Sequence, residues 1–331
     1  MLVRCVAILL TAGALSAPTL ASAQQFESVG TRAAGLGGAF VAVADDASAV
    51  YWNPAGLASG GFFSLLLDST RGEGKAPDAG RAASRSGTIL ALGTPPLGLT
   101  YYRLRSSGVV PADAPDARPG DLRAFSLITH HAGATLVQSL TDTIAVATTL
   151  KFVRGIAAIG QLHGLDLDDA LDVADDLVGS GENTFDADLG ILAIFGRLRA
   201  GLSVRNVTQP EFEIPFEEGA LELERLTRAG LAYAAAPGLL VALDVDLERA
   251  SDALGEARQL AVGAEARIHP RASLRTGFRF NTLGDQPGGR APVGTVGGSY
   301  AVLGWLFAEG QITYGSESGS RGWGLAGRVA F

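Results

Sequence analysis

From Phe62 onward the chain alternates apolar and polar residues in short segments, each collecting its large apolar side chains on one face. Thr143 to Arg154 shows it most clearly: Ile144, Val146, Thr148, Leu150 and Phe152 share one face, and Ala145, Ala147, Thr149 and Lys151 the other. Successive side chains of a strand point to opposite sides, so this period of two predicts a strand with one oily and one small or polar face. The split recurs at Leu239 to Glu248, Leu260 to His269 and Ser273 to Phe280, and in a last segment setting Trp323, Leu325, Val329 and Phe331 against Gly324, Ala326, Arg328 and Ala330. About fourteen such segments follow Phe62. Their connections alternate between short turns (93–97, 139–142, 195–198, 235–238, 269–272 and near Leu303) and longer gaps (69–86, 105–121, 155–182, 208–224, 249–257, 281–291 and 315–321). A soluble β-sandwich also alternates, but has no reason to keep every short turn on one side.

Composition sharpens this. The 331 residues are 47% hydrophobic with a mean hydropathy of +0.24, yet no apolar run after residue 25 approaches the roughly 20 residues of a membrane helix. In lipid every backbone N–H and C=O must be satisfied internally, which leaves a closed barrel as the spanning alternative. The expected fold is therefore all-β, a transmembrane antiparallel β-barrel of about 14 strands over residues 61–331, with periplasmic short turns and extracellular long loops. Residues 1–23 read as a secretory signal peptide: Arg4, an apolar stretch from Val6 to Leu15, and Ala21-Ser22-Ala23 as cleavage site. The expected location is the bacterial outer membrane. The single cysteine, Cys5, falls in that signal, so no disulfide is expected. A net charge of −8 without a dense basic run argues against nucleic acid as a partner.

The strand pattern places charges on the inner face: Asp244, Asp246 and Glu248 on one strand, Glu265 and Arg267 on the next, Arg275 and Arg279 on the one after. Adjacent strands then bring opposite charges within cross-strand reach, which sets register and wets the lumen. The functional alternative is that Arg275 or Arg279 meets a ligand carboxylate, because a guanidinium offers a matching fork. His130 and His131 are adjacent on a strand and so face opposite ways, a poor metal site. The gap at 160–181 carries leucines at helical spacing among six aspartates, which predicts a short amphipathic helix capping the barrel mouth or resting near the bilayer surface. The aspartates lack the glycine and terminal glutamate of an EF-hand loop. No nucleophile triad, zinc motif or carboxylate pair emerges, so neither an enzyme nor a cofactor is expected.

Residues 30–58 read GTRAAGLGGAFVAVADDASAVYWNPAGLA and are not strand-like. Gly35-Leu36-Gly37-Gly38 lacks the register and preceding strand of a nucleotide-binding loop, and close chain packing accounts better for the glycines. The segment resembles the N-terminal hatch of FadL-like outer-membrane transporters of hydrophobic compounds, which carries an Asn-Pro-Ala element, here Asn53, Pro54 and Ala55. The resemblance implies a barrel plugged by residues 24–60, a hydrophobic small-molecule ligand such as a long-chain fatty acid in the lumen, gating by the hatch, and lateral exit through a kinked third strand. Candidate gating residues are Asn53, Pro54, Ala55, Gly37 and Gly38. Implied partners are outer-membrane lipid and the barrel assembly machinery. A very similar stretch also suits PorV-like barrels that serve protein secretion or surface attachment.

Overall fold

The computed structural model describes residues 29–113, 117–214, 219–283, 292–315 and 320–331; the expected signal peptide lies outside them. Eighteen strands follow one another: β1 (Ser64–Ala76), β2 (Arg81–Gly93), β3 (Leu97–Pro111), β4 (Leu122–Ser139), β5 (Ile144–Leu162), β6 (Ser180–Phe195), β7 (Leu198–Arg205), β8 (Glu211–Glu213), β9 (Ala220–Glu222), β10 (Leu226–Ala236), β11 (Leu239–Asp246), β12 (Ala250–Asp252), β13 (Gly255–Ala257), β14 (Gln259–His269), β15 (Ala272–Asn281), β16 (Val293–Ala301), β17 (Leu306–Gly315) and β18 (Ser320–Ala330). Fourteen of them pair antiparallel with their neighbours, and β1 closes the ring on β18 from Ser64↔Ala330 to Glu73↔Arg321. Closure leaves no strand edge, the condition for immersion in lipid. The remaining four strands form two hairpins, β8–β9 and β12–β13.

The side chains sort as the alternation requires. Leu67, Leu90, Phe152, Phe185, Leu231, Phe278, Ile312 and Leu325 are exposed on the outside, whereas Asp68, Lys151, Asp188, Arg205, Asp244 and Arg275 are buried within. An outward apolar belt over a polar interior is the signature of a membrane barrel. No helix among the described residues is long and apolar enough to cross a membrane.

Three sequence expectations are corrected. The strands on the long-loop side run further than expected: β1 and β2 continue through 69–86 and leave only Pro77–Gly80 as a turn, because the two chains stay in unbroken register as far as Ala76↔Arg81. No gap opens beside the third strand; β3 pairs without a register shift with β2 and, over its full length, with β4. The helix predicted at 160–181 exists as α3 (Leu167–Asp175); of the two placements expected for it, the cap over the mouth is ruled out, and its position on the outer wall agrees with the other. Its Ala170, Leu171 and Ala174 pack on Ala82, Val109, Leu122 and Ala124, which are outward positions of β2, β3 and β4. The helix thus lies against the outer wall at the long-loop end, capped by the Asp166 carboxylate, which accepts from the backbone N–H groups of Asp168 and Asp169. Lys75 pairs with Asp168, and Arg71 lies 3.6 Å from Asp175.

The mouth is filled instead by the two hairpins. Phe212, Ile214, Leu221 and Leu223 of the β8–β9 unit and Ala253 beyond β12 join the inward-facing Phe125, Leu127, Val153 and Ala157 in one apolar cluster. Phe212 fits because β5 carries Gly155 there; a Cβ on Gly155 would stand 2.3 Å from the ring.

Candidate functional site

Residues 29–60 form α1 (Thr31–Gly35), α2 (Ala49–Trp52) and a 3-10 helix, Pro54–Ser59. None is long enough to be stable alone, so packing must hold them. Phe40, Tyr51 and Trp52 are fully buried, and Trp52 stands edge-on to both Phe40 and Tyr51, whose rings meet it at 75° and 67°.

The barrel wall makes room for this segment with glycines. Inward-facing Gly190, Gly201, Gly230, Gly263, Gly277 and Gly297 occupy β6, β7, β10, β14, β15 and β16. Gly201 faces Gly230, and Gly263 faces Gly277, across adjacent strands. A Cβ on Gly277 would stand 2.2 Å from the Leu36 carbonyl carbon, and one on Gly190 would stand 2.3 Å from the Asn53 Oδ1. The segment's own Gly37 has φ +69, and a Cβ there would meet the Phe278 backbone nitrogen at 2.8 Å, so both conformation and space demand glycine. Gly38 has φ +90, and its carbonyl accepts from Arg228 at 3.3 Å.

Polar groups then pin the segment in place. Asn53 is fully buried; its amide donates to the Val41 carbonyl (2.9 Å) and the Ile191 carbonyl of β6 (3.0 Å), while its Oδ1 accepts from the Ala55 backbone N–H. Pro54 opens the 3-10 helix, where its missing N–H costs nothing, and Ala55 is buried beneath it. The Asp244 carboxylate accepts from the backbone N–H groups of Phe40 and Val41, both at 2.8 Å, and Asp68 does the same for Thr31 at 2.6 Å.

Arg32 is the ionic hub. It meets Asp45 (2.6 Å), Asp46 (2.9 Å) and Glu265 (3.0 Å), and Glu265 continues to Arg275 (2.5 Å), Glu309 and Arg328. Burial alone would raise the Asp46 carboxyl, but Arg32, Arg328 and the Ser48 hydroxyl outweigh it and hold it below the usual carboxylate range.

Of the expected lumen charges, Asp244 holds backbone, Asp246 pairs with Arg228 (2.6 Å), and Glu265 pairs with Arg275 across the strands. Arg275 also donates to Glu309 and Ser299, so its fork is fully used. Arg267 is corrected: it keeps register with Ser273 and the facing of Glu265, but stands at the short-turn end of β14 beside the Gly238 turn, where it is exposed and is not part of the lumen network. Arg279 lines a cavity of about 70 Å³ above Ala34, together with Thr70, Arg85, Leu254, Gln311 and Thr313.

Two clusters escaped the sequence reading. Lys151 is buried between Asp186 (2.7 Å) and Asp188 (2.6 Å), with the Asn206 Oδ1 at 3.2 Å. Beside it Arg205 lies 3.5 Å above the Tyr51 ring and donates to the Tyr102 hydroxyl, tying the N-terminal segment to β3 and β7. His131 is buried and stacks on Tyr102 at 4.3 Å, whereas His130 faces outward to the Tyr101 hydroxyl. Lys151 sits on the polar face of its strand, a usable signal, but nothing in the sequence names its partners.

A closed antiparallel barrel with an apolar exterior and a polar, occupied lumen belongs to the class of outer-membrane-type β-barrels. The particular version is the FadL-like fold. The toluene transporter TbuX of Ralstonia pickettii superposes with a TM-score of 0.61 at 15% identity, over 92% of this chain and 99% of that one. A FadL homologue of Pseudomonas aeruginosa gives 0.63 at 10% identity over 94% and 100%, and the Pseudomonas putida toluene transporter TodX gives 0.60 at 13% over 93% and 99%. At these identities the likeness is one of fold. A family model described as F plasmid transfer operon, TraF, protein matches residues 133–246, about a third of the chain. No curated protein matches it.

Proposed function

We propose that this protein is a channel of the bacterial outer membrane for passive uptake of hydrophobic small molecules, with residues 24–60 as its hatch and long-chain fatty acids as the cargo to test first. The observation that carries the reading is the seating of residues 29–60 inside the barrel as a separate segment: polar tethers and glycine notches hold it against the inner wall, and Leu36, Phe40, Val50, Tyr51 and Leu57 share an apolar cluster with Leu66, Ile89, Tyr102 and Leu226 of the wall. Fold relatives described as toluene transporters and a FadL homologue supply the class of cargo.

Cargo would enter by parting the apolar cluster of Phe125, Phe212 and Leu221 at the mouth and reach the cavity below it. That cavity is too small for a long acyl chain, so the conformation described is a closed one. A cargo carboxylate would meet Arg279, because Arg275 is already committed to two glutamates. Movement of the segment around Asn53, Pro54 and Ala55, turning at Gly37 and Gly38, would open the lower half of the lumen. With β3 paired on both sides, exit leads through the lumen rather than through a gap beside that strand.

Asn53→Ala tests the gating role. Loss of the tethers to Val41 and Ile191 should weaken the closed arrangement by about 1–3 kcal/mol, read as faster uptake of labelled fatty acid into cells carrying a correctly assembled barrel. Unchanged uptake would remove Asn53 from the gate. An empty lumen with a co-purifying protein partner would instead favour a secretion-linked barrel.

A further inference from the structure

The outer wall carries a second feature, independent of the lumen. Strand register defines rows of outward side chains across β1 to β6 that run perpendicular to the tilted strands. One row reads Leu67, Leu90, Tyr101, Ala132, Phe152 and Phe185. The next row toward the long loops reads Ser69, Thr88, Arg103, His130, Arg154 and Asn183. Arg105 follows two residues along β3, facing Ser86 and Ile128. The change from oily to cationic takes place within one row.

Its height suits a membrane boundary. From Leu140 to Ala132 the outward side of β4 is mostly apolar; nine residues on a strand tilted about 40° rise roughly 20–25 Å, the height of a barrel's lipid belt. His130 of β4 and the two arginines paired with it, Arg103 and Arg154, therefore stand close to where the belt meets the headgroups of the leaflet on the long-loop side.

Directly below it runs a groove of about 600 Å³, with Leu90, Leu99 and Tyr101 on one side, Leu150 on the other, and Ala132 and Ala134 as its floor. The two alanines on β4 leave a furrow between taller neighbours. Among the described residues Arg103, Arg105 and Arg154 have no carboxylate partner, although the chain as a whole is acidic. Of the carboxylates of α3, Asp175 is engaged with Arg71 and the Ser84 hydroxyl and Asp168 with Lys75, while Asp169 and Asp172 are exposed.

We propose that β1 to β5 form a binding site for a phosphorylated, multiply acylated glycolipid of the outward leaflet, with an acyl chain in the Ala132–Ala134 groove and a phosphate on Arg103, Arg105 and Arg154. Guanidinium forks match phosphate oxygens, and the groove supplies the apolar half of the same molecule. An arginine row that merely snorkels toward water would show no preference for phosphate and no dependence on the groove.

The test uses the purified barrel in mild detergent and native mass spectrometry with lipid A, dephosphorylated lipid A and phosphatidylglycerol as probes. Lipid A should be retained in preference to both others. Arg103→Gln/Arg105→Gln/Arg154→Gln should weaken retention about 100-fold, each surface charge contributing roughly fivefold, and Ala132→Trp should weaken it by filling the groove. Equal retention of dephosphorylated lipid A or phosphatidylglycerol, or full retention by either variant, would overturn the proposal. Should the triple variant fail to assemble, the lipid comparison on the unmutated barrel and the Ala132→Trp result still decide.

Discussion

Replacing Lys151 with methionine should destabilise the barrel by about 3–5 kcal/mol, because the substitution leaves Asp186 and Asp188 buried together without their shared cation. The size follows from an asymmetry: a buried ion cluster adds little net stability when complete, yet removing one partner strands the others in a poorly solvating interior. Unfolding in detergent should therefore start at lower denaturant for Lys151→Met. Adding Asp186→Asn and Asp188→Asn to the same chain should restore most of the loss, since no uncompensated charge then remains. A single variant as stable as the parent would mean that water reaches the cluster and that the lumen is open at this level.

The second large effect is expected at Arg32. Its guanidinium joins Asp45 and Asp46 of its own segment to Glu265 of β14, and Glu265 carries the link on to Arg275. Arg32→Ala removes the group that meets three carboxylates across segment and wall, leaving Asp45 only the longer pair with Arg199 of β7 at 3.5 Å. Because Asp45 is about a third exposed, the cost is discounted to about 2–4 kcal/mol. If closed and open forms differ by the seating of residues 29–60, that shifts their ratio about 30- to 1000-fold. Planar-bilayer recordings should show frequent openings in the variant and rare ones in the parent. Arg32→Lys should fall between them, because a single ammonium cannot reproduce a fork that reaches three carboxylates.

Much of this architecture was legible in the sequence, and the reasons are physical. A lipid-facing position must be apolar and a lumen position is free to be polar, so the facing of Leu150 against Lys151, or Leu243 against Asp244, followed from a period of two. The Glu265–Arg275 pair followed from the same facing plus adjacency of strands. The hairpins did not, because three-residue strands such as Glu211–Glu213 carry too little pattern to show that Phe212 turns inward. For α3 the helical spacing was visible, but an amphipathic pattern does not say which surface will cover it. The clue lay elsewhere, in Val109 and Ala124, apolar on the outer face beyond the arginine row. The glycines at 190, 201, 230, 263, 277 and 297 carry no signal of their own in the alternation; their meaning depends on an inner partner that alternation cannot reveal. Arg267 has the facing that alternation gives it, but it stands at the short-turn end of its strand, and facing does not say how far along the barrel a residue lies.

The central claim is that residues 29–60 must move for cargo to pass, and a reversible covalent lock tests it most directly. Gly35 of α1 and Gly297 of β16 approach so closely that a Cβ on either would lie 3.3–3.5 Å from the other's Cα, within reach of a disulfide. Cys5 is the only other cysteine of the chain. In Gly35→Cys/Gly297→Cys, uptake of labelled long-chain fatty acid should stop when the pair is oxidised and return on addition of a reductant. Equal uptake by the oxidised and reduced forms would show that cargo passes without movement of this segment, and the gating account would fall.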